Sequence, residues 1–223
     1  MSPGDEPSVT FVRNGRAQLA LHRLRGGDGR PLLLFHGLAE HSPATAPAVA
    51  DLWAGPIYGL DFTGHGQSTI PAAGGYTAEA LMADADAALG ELGPCTILGR
   101  GLGAYIALLI AGARPELVRG AILADGPGLI GGGIRPSSPL VVPLDPGLPA
   151  PPDPLALLEL SRDVRPPDYA AEFVRMARHG SGLDQPIAVA AMVRPEWLIG
   201  VVAEFGVLEL TVEVALQRFS AVS

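Results

Sequence analysis

Residues 98–107 read Leu98-Gly99-Arg100-Gly101-Leu102-Gly103-Ala104-Tyr105-Ile106-Ala107. An apolar run from Cys95 leads into three evenly spaced glycines, and the chain continues apolar on all sides to Ala113. A short β-favouring run bounded by glycine is the pattern of a strand buried on both faces, and a dozen apolar residues suit a buried helix. Cys95 to Gly99 is therefore expected as a strand, Leu102 to Ala113 as a helix and Ala121 to Ala124 as the next strand. Strand, helix and strand in that rhythm imply parallel strands joined by a right-handed crossover. A dinucleotide-binding turn is excluded: it needs Gly-x-Gly-x-x-Gly on the first strand, and here the even spacing falls on the fifth.

The same rhythm extends outward. Val9 to Arg13 and Ala17 to Leu24 flank Asn14-Gly15, the strongest short hairpin signal. Pro31 to Phe35 reads as a buried strand ending at His36-Gly37, and Pro56 to Leu60 as another ending at Asp61. Ala44 to Trp53 is expected as a helix between them. Thr77 can cap a helix over Ala78 to Leu92, where Leu81, Met82, Ala85, Ala88, Leu89 and Leu92 form an apolar stripe. Further helices are expected at 155–160, 168–178, 197–204 and 212–219, with strands at 187–193 and 207–210. Residues 126–154, rich in Gly and Pro, read as a loop insertion: either a mobile lid or ordered packing over the sheet. No internal repeat or linker divides the chain, so one domain over residues 1–223 is expected.

The 223 residues are 48% hydrophobic, enough for a sizeable core, and carry a formal net charge of −8. The acidic residues are scattered, as on a solvated surface, which argues against nucleic acid or an anionic membrane as partner. The N-terminus lacks a basic segment followed by an apolar one, and no apolar run approaches ~18 residues, so neither a leader nor a membrane span is expected. The single Cys95 excludes an intramolecular disulfide and suits a reducing cytoplasm. Abundant Ala, Gly, Pro and Arg with little Lys suggests a GC-rich bacterial genome. No Cys or His cluster has metal-ligand spacing, and no cofactor is expected.

Three motifs in order carry a family resemblance. The first is Leu34-Phe35-His36-Gly37-Leu38. The second is Asp61-Phe62-Thr63-Gly64-His65-Gly66-Gln67-Ser68, similar to an Asp-x-x-Gly-x-Gly-x-Ser turn. The third is the stretch around Gly101, similar to the nucleophile elbow Gly-x-Ser-x-Gly on a sharp strand-to-helix turn. Over residues 9–126 the chain resembles the α/β-hydrolase superfamily, as a small member without a full cap domain. That resemblance implies an α/β fold: a mostly parallel central sheet, an N-terminal antiparallel hairpin and helices on both faces. It also implies that the backbone N–H groups of Leu38, after Gly37, and of Leu102 form an oxyanion hole at a helix N-terminus.

The chain departs from the family at the reacting groups. Gly101 stands where the elbow carries Ser, Cys or Asp, and glycine relieves the strained backbone while discarding the reactive side chain. A serine in its place is expected to fold. The family's base follows the last strand, but no His occurs after His179. His36 and His65 are the remaining candidates for proton transfer, and His22 and His41 are expected in a strand and a loop. Asp125 ends the strand after the elbow helix, where some relatives carry the triad acid; without a His it has no triad to join. Arg100 either adds positive charge to the pocket or turns outward.

Two classes of function follow. One is a pseudo-hydrolase that binds a small carbonyl- or carboxylate-bearing ligand at the Leu38 and Leu102 donors. The other is a non-hydrolytic enzyme (lyase, isomerase, cyclase or decarboxylase) that keeps the oxyanion hole and uses His36, His65, Asp125 or Arg100. Hydrolysis of small esters by an unrecognised route is the third.

Overall fold

The structure, a computed structural model, describes residues 7–132 and 152–222. Strands β1 (Ser8–Asn14) and β2 (Ala17–Arg25) pair antiparallel, with Asn14 opposite Ala17. The two-residue loop is thus Gly15-Arg16, not Asn14-Gly15. Gly15 takes φ 57 at its first position, as the twist-compatible II′ hairpin turn requires. The remaining strands are β3 (Leu32–Phe35), β4 (Ile57–Leu60), β5 (Cys95–Arg100), β6 (Val118–Ala124), β7 (Ile187–Val189) and β8 (Val207–Glu209). They form one sheet in the order β1-β2-β4-β3-β5-β6-β7-β8. From β4 to β8 every neighbour is parallel, and β2 joins β4 antiparallel.

Side-chain alternation divides the core. Leu33, Phe35 and Ile97 face one layer, with α1 (Ala78–Leu92), α2 (Leu102–Ala113), α4 (Pro167–Gly180) and α5 (Glu196–Val202). Leu32, Leu34, Ile57 and Ile122 face the other, with α6 (Val212–Ser220) and a single 3-10 turn at Ala48–Ala50. Helices therefore cover both faces, and α2 is buried from Leu102 to Gly112 between the sheet and α1 and α4. Close approach explains two glycines there. A Cβ on Gly99 would meet the Gly103 carbonyl at 2.2 Å, and one on Gly103 would meet the Phe35 and His36 carbonyls at 2.6 Å.

Local chemistry sets the helix starts. Thr77 Oγ1 accepts from the Ala80 N–H at 3.1 Å, capping α1 as its sequence indicates. The helix expected over 44–53 is absent apart from the 3-10 turn, and Pro47 supplies the reason. Pro47 has no N–H to donate and biases Ala46 away from helical geometry, so only one turn forms after it. The strand expected over 187–193 stops at Val189, because the N–H groups of Met192 and Val193 turn instead to Asp125. Of the expected insertion at 126–154, residues 126–132 are a turn entering the end of the sheet, α3 (Pro154–Arg162) begins at its far end, and 133–151 lie outside the described residues. Among the described residues no helix is long and apolar enough to cross a membrane.

Candidate functional site

The site lies at the carboxyl ends of β3, β5 and β6, where three turns converge. The turn after β3 runs His36-Gly37-Leu38-Ala39-Glu40. It is closed by the Glu40 N–H donating to the Gly37 carbonyl at 3.1 Å. Ala39 takes φ 66, the only positive φ at a non-glycine among the described residues. The turn after β5 is Gly101 alone, with φ 60 and ψ −122, and α2 starts at the next residue. The turn after β6 is Asp125-Gly126-Pro127-Gly128, and it enters the space between the other two.

The Leu38 and Leu102 N–H groups converge on one point, and that point is filled. Both donate to the Pro127 carbonyl oxygen, each at 2.9 Å. This is the donor pair that the sequence nominates for an oxyanion hole, and its acceptor is a carbonyl of the same chain. A Cβ on Gly101 would lie 2.0 Å from that oxygen. The turn leaves no room for a side chain at 101 while Pro127 holds this position, so the serine expected to fold there would have to displace Pro127. Gly37 is constrained in the same way, since its Cβ would come within 2.8 Å of Pro127 Cδ. Gly128, at φ 75, would press a Cβ to 2.6 Å from that of Leu38.

Two side chains hold the inserted turn from below. Arg165, between α3 and α4, donates through Nη1 to the carbonyls of Gly128 and Leu129, each at 2.7 Å. The Trp197 indole of α5 donates to the Leu129 carbonyl at 2.8 Å. Both stand on Tyr105 of α2, the guanidinium 4.6 Å above its ring and the indole 5.0 Å from it, edge on. Arg165 is only 4% exposed, and its Nε and Nη2 have no hydrogen-bond partner among the described residues. Burial brings its pKa down to about 10, so it remains a cation at neutral pH.

The candidate proton-transfer histidines are both buried, and backbone engages both ring nitrogens of His36. The His36 Nε2 accepts from the Phe62 N–H at 3.2 Å, so its proton lies on Nδ1, which donates to the Gly37 carbonyl at 2.8 Å. Both ring nitrogens thus position backbone, and burial lowers the pKa against the opposing pull of Asp61. His65 sits against it with ring centroids 4.9 Å apart. Its Nδ1 contacts the Thr63 carbonyl at 3.2 Å and its Nε2 is buried without a partner among the described residues. Burial, then the His36 charge, push the His65 pKa down to about 3. Beside them Asp61 accepts from His22 Nε2 and from the N–H groups of Ser42 and Gln67, and closes the second motif. Its burial opposes ionisation, but His22, the His36 charge and those N–H groups outweigh it and hold the carboxyl below the usual range.

The other nominated residues lie at the rim. Asp125 accepts from Met192 N at 2.7 Å and Val193 N at 3.0 Å, joining the ends of β6 and β7 rather than orienting an imidazole. Arg100 turns outward, 53% exposed, to pair with Glu40 at 2.8 Å. The second Glu40 oxygen takes the Gly37 N–H at 2.9 Å. After β8 the chain passes through Leu210-Thr211 directly into α6, where Thr211 caps the helix. An open groove of about 520 Å³ between β8 and α6, lined by Leu208, Leu210, Val214 and Arg218 among others, shares no residue with the three converging turns. Among the described residues no group of three or more His, Cys, Asp or Glu is placed to hold a metal ion. Pro127, Glu40, Arg165 and Trp197 escape sequence reasoning. The clustering of glycines in the three converging turns was the available signal, because it marks close backbone approach.

A family model described as serine aminopeptidase, S33, matches residues 30–134, a little under half of the chain. A hydrolase of (E)-2-((N-methylformamido)methylene)succinate from Acinetobacter baylyi is 31% identical over 112 residues, 47% of this chain and 41% of that protein. Epoxide hydrolase 4 of Mus musculus is 32% identical over 132 residues, 55% of this chain and 37% of that protein. The matches thus span well under half the length of these curated relatives. Among solved structures, the thioesterase domain from the curacin biosynthetic pathway aligns over 97% of both chains, with TM-score 0.64 and 15% identity, a likeness of fold alone.

Proposed function

We propose that this chain, which has the α/β-hydrolase fold and matches a hydrolase family model over residues 30–134, is a member of that superfamily without covalent acyl-transfer chemistry, a pseudo-hydrolase that binds a small carbonyl- or carboxylate-bearing ligand. One observation carries this reading: at the elbow, Gly101 offers no nucleophile, and the Pro127 carbonyl stands where a side chain would project. A carbonyl in that position is what the Leu38 and Leu102 donors suit, so a ligand's carbonyl or carboxylate oxygen is their natural competitor. The turn that follows β8, Leu210-Thr211, holds no His, which supports the same reading, since serine-type turnover needs a base beside the nucleophile. His36 and His65 do not substitute for it. Burial makes both weak proton acceptors, and His36 has spent both ring nitrogens on backbone.

A fluorophosphonate probe and a panel of fluorogenic esters test the proposal. The expected result is no covalent adduct by intact-protein mass spectrometry and no turnover above buffer. Steady ester turnover that disappears in His36→Ala or His65→Ala would overturn it. Native mass spectrometry of the purified protein identifies a retained small carboxylate directly.

A further inference from the structure

We propose that the ligand-binding donor pair is autoinhibited: Pro127 is a tethered ligand, latched in place by Arg165 and Trp197, and a carboxylate binds only by expelling it. The inference rests on the pseudo-hydrolase reading and specifies how that site is regulated. The Pro127 oxygen satisfies both donors at 2.9 Å, so nothing is left for a second acceptor. The fit is built rather than incidental. Gly37, Gly101 and Gly128 are each within 3 Å of a clash that any Cβ would cause, with Pro127 or with Leu38 beside it. The latch is equally specific, because three hydrogen bonds from Arg165 and Trp197 converge on two consecutive carbonyls, those of Gly128 and Leu129. The Gly132 N–H then ties the segment to the Asp163 carbonyl at 2.7 Å. These anchors stand on Tyr105 in the elbow helix, so the latch and the donor of Leu102 share one rigid element.

Amide hydrogen exchange and butyrate titration, both read by NMR on the full chain, test this. In the native protein the Leu38 and Leu102 amides exchange slowly and at matching opening equilibria, because one acceptor protects both. Gly128→Ala, which the closed turn cannot hold, raises exchange at both amides by at least tenfold and leaves Ile97 in β5 unchanged. Trp197→Phe keeps the ring against Tyr105 but removes one donor to Leu129, and speeds the same two amides by about tenfold, the worth of one neutral hydrogen bond. Butyrate shifts these two resonances at least tenfold more tightly in Gly128→Ala than in the native protein. Independent exchange of the two amides, or equal butyrate affinity in both proteins, overturns the latch. Ester turnover by the native protein instead overturns the parent reading, so the two failures are distinct. If Trp197→Phe loosens Ile97 as well, Gly128→Ala alone decides.

Discussion

The carbonyl oxygen of Pro127 sits 2.0 Å from the point where a Cβ on Gly101 would stand. The filled donor pair and an elbow side chain are therefore mutually exclusive states of one structure. Substitutions at and around this contact have definite expected outcomes.

Gly101→Ala and Gly101→Ser should destabilise alike, since the Cβ rather than the hydroxyl makes the clash. A positive-φ non-glycine residue costs ~1–3 kcal/mol and the two displaced hydrogen bonds ~1 kcal/mol each, giving about 3–5 kcal/mol in urea unfolding. Neither variant should turn over esters. A serine variant as stable as the native protein would show that the Pro127 turn moves aside freely.

Acid should weaken the fold through the buried histidines. An unfolded imidazole titrates near 6.5, whereas burial holds His65 at about 3 and lowers His36. Between those values the unfolded chain binds a proton that the native one refuses, so stability present above pH 6.5 is lost as pH falls. His65 contributes a slope of up to about 1.4 kcal/mol per pH unit in that window, and His36 acts in the same direction. His65→Gln should remove one such increment between pH 6 and about 4.5, measured as the unfolding midpoint across pH. An unchanged slope would mean that His65 titrates normally in the native state.

Asp125→Asn should preserve the fold and cost about 1 kcal/mol, because Met192 and Val193 are exposed and water can replace part of what the carboxylate accepts. A loss above about 3 kcal/mol in chemical denaturation would assign the carboxylate a larger part in the site than joining β6 to β7.

Cys95 should resist alkylation in the native protein. Its thiol is fully buried at the start of β5, and burial pushes its pKa up to about 12. Iodoacetamide labelling should appear only as denaturant unfolds the chain, tracking the loss of tryptophan fluorescence. Labelling in buffer at a rate independent of denaturant would reveal local opening at this end of the sheet.

The sheet was legible because its signals are side-chain signals. The apolar runs at β3 and β5, the stripe and Thr77 cap of α1 and the hairpin glycine each report their own local geometry. The helix expected over 44–53 failed because its apolar spacing ignored Pro47, whose backbone effect won. The candidate site was half legible. His36-Gly37-Leu38 and Gly99–Gly103 placed the two donors, but their acceptor is a main-chain carbonyl that no side-chain pattern encodes. Pro127 reached it across a parallel sheet, from a segment whose sequence showed only glycine and proline. Arg165 was equally hidden, since a buried arginine looks like any loop arginine until its carbonyl acceptors are seen.

The Gly101–Pro127 contact also shapes what sequence change can reach. A serine acquired first meets a carbonyl in its way, and a rerouted 126–128 turn acquired first leaves two buried donors unsatisfied and gains no reactivity. Each step taken alone lowers stability with nothing returned at the elbow. Nucleophilic chemistry at this elbow is thus separated from the present sequence by a valley, one that single substitutions do not cross in either order.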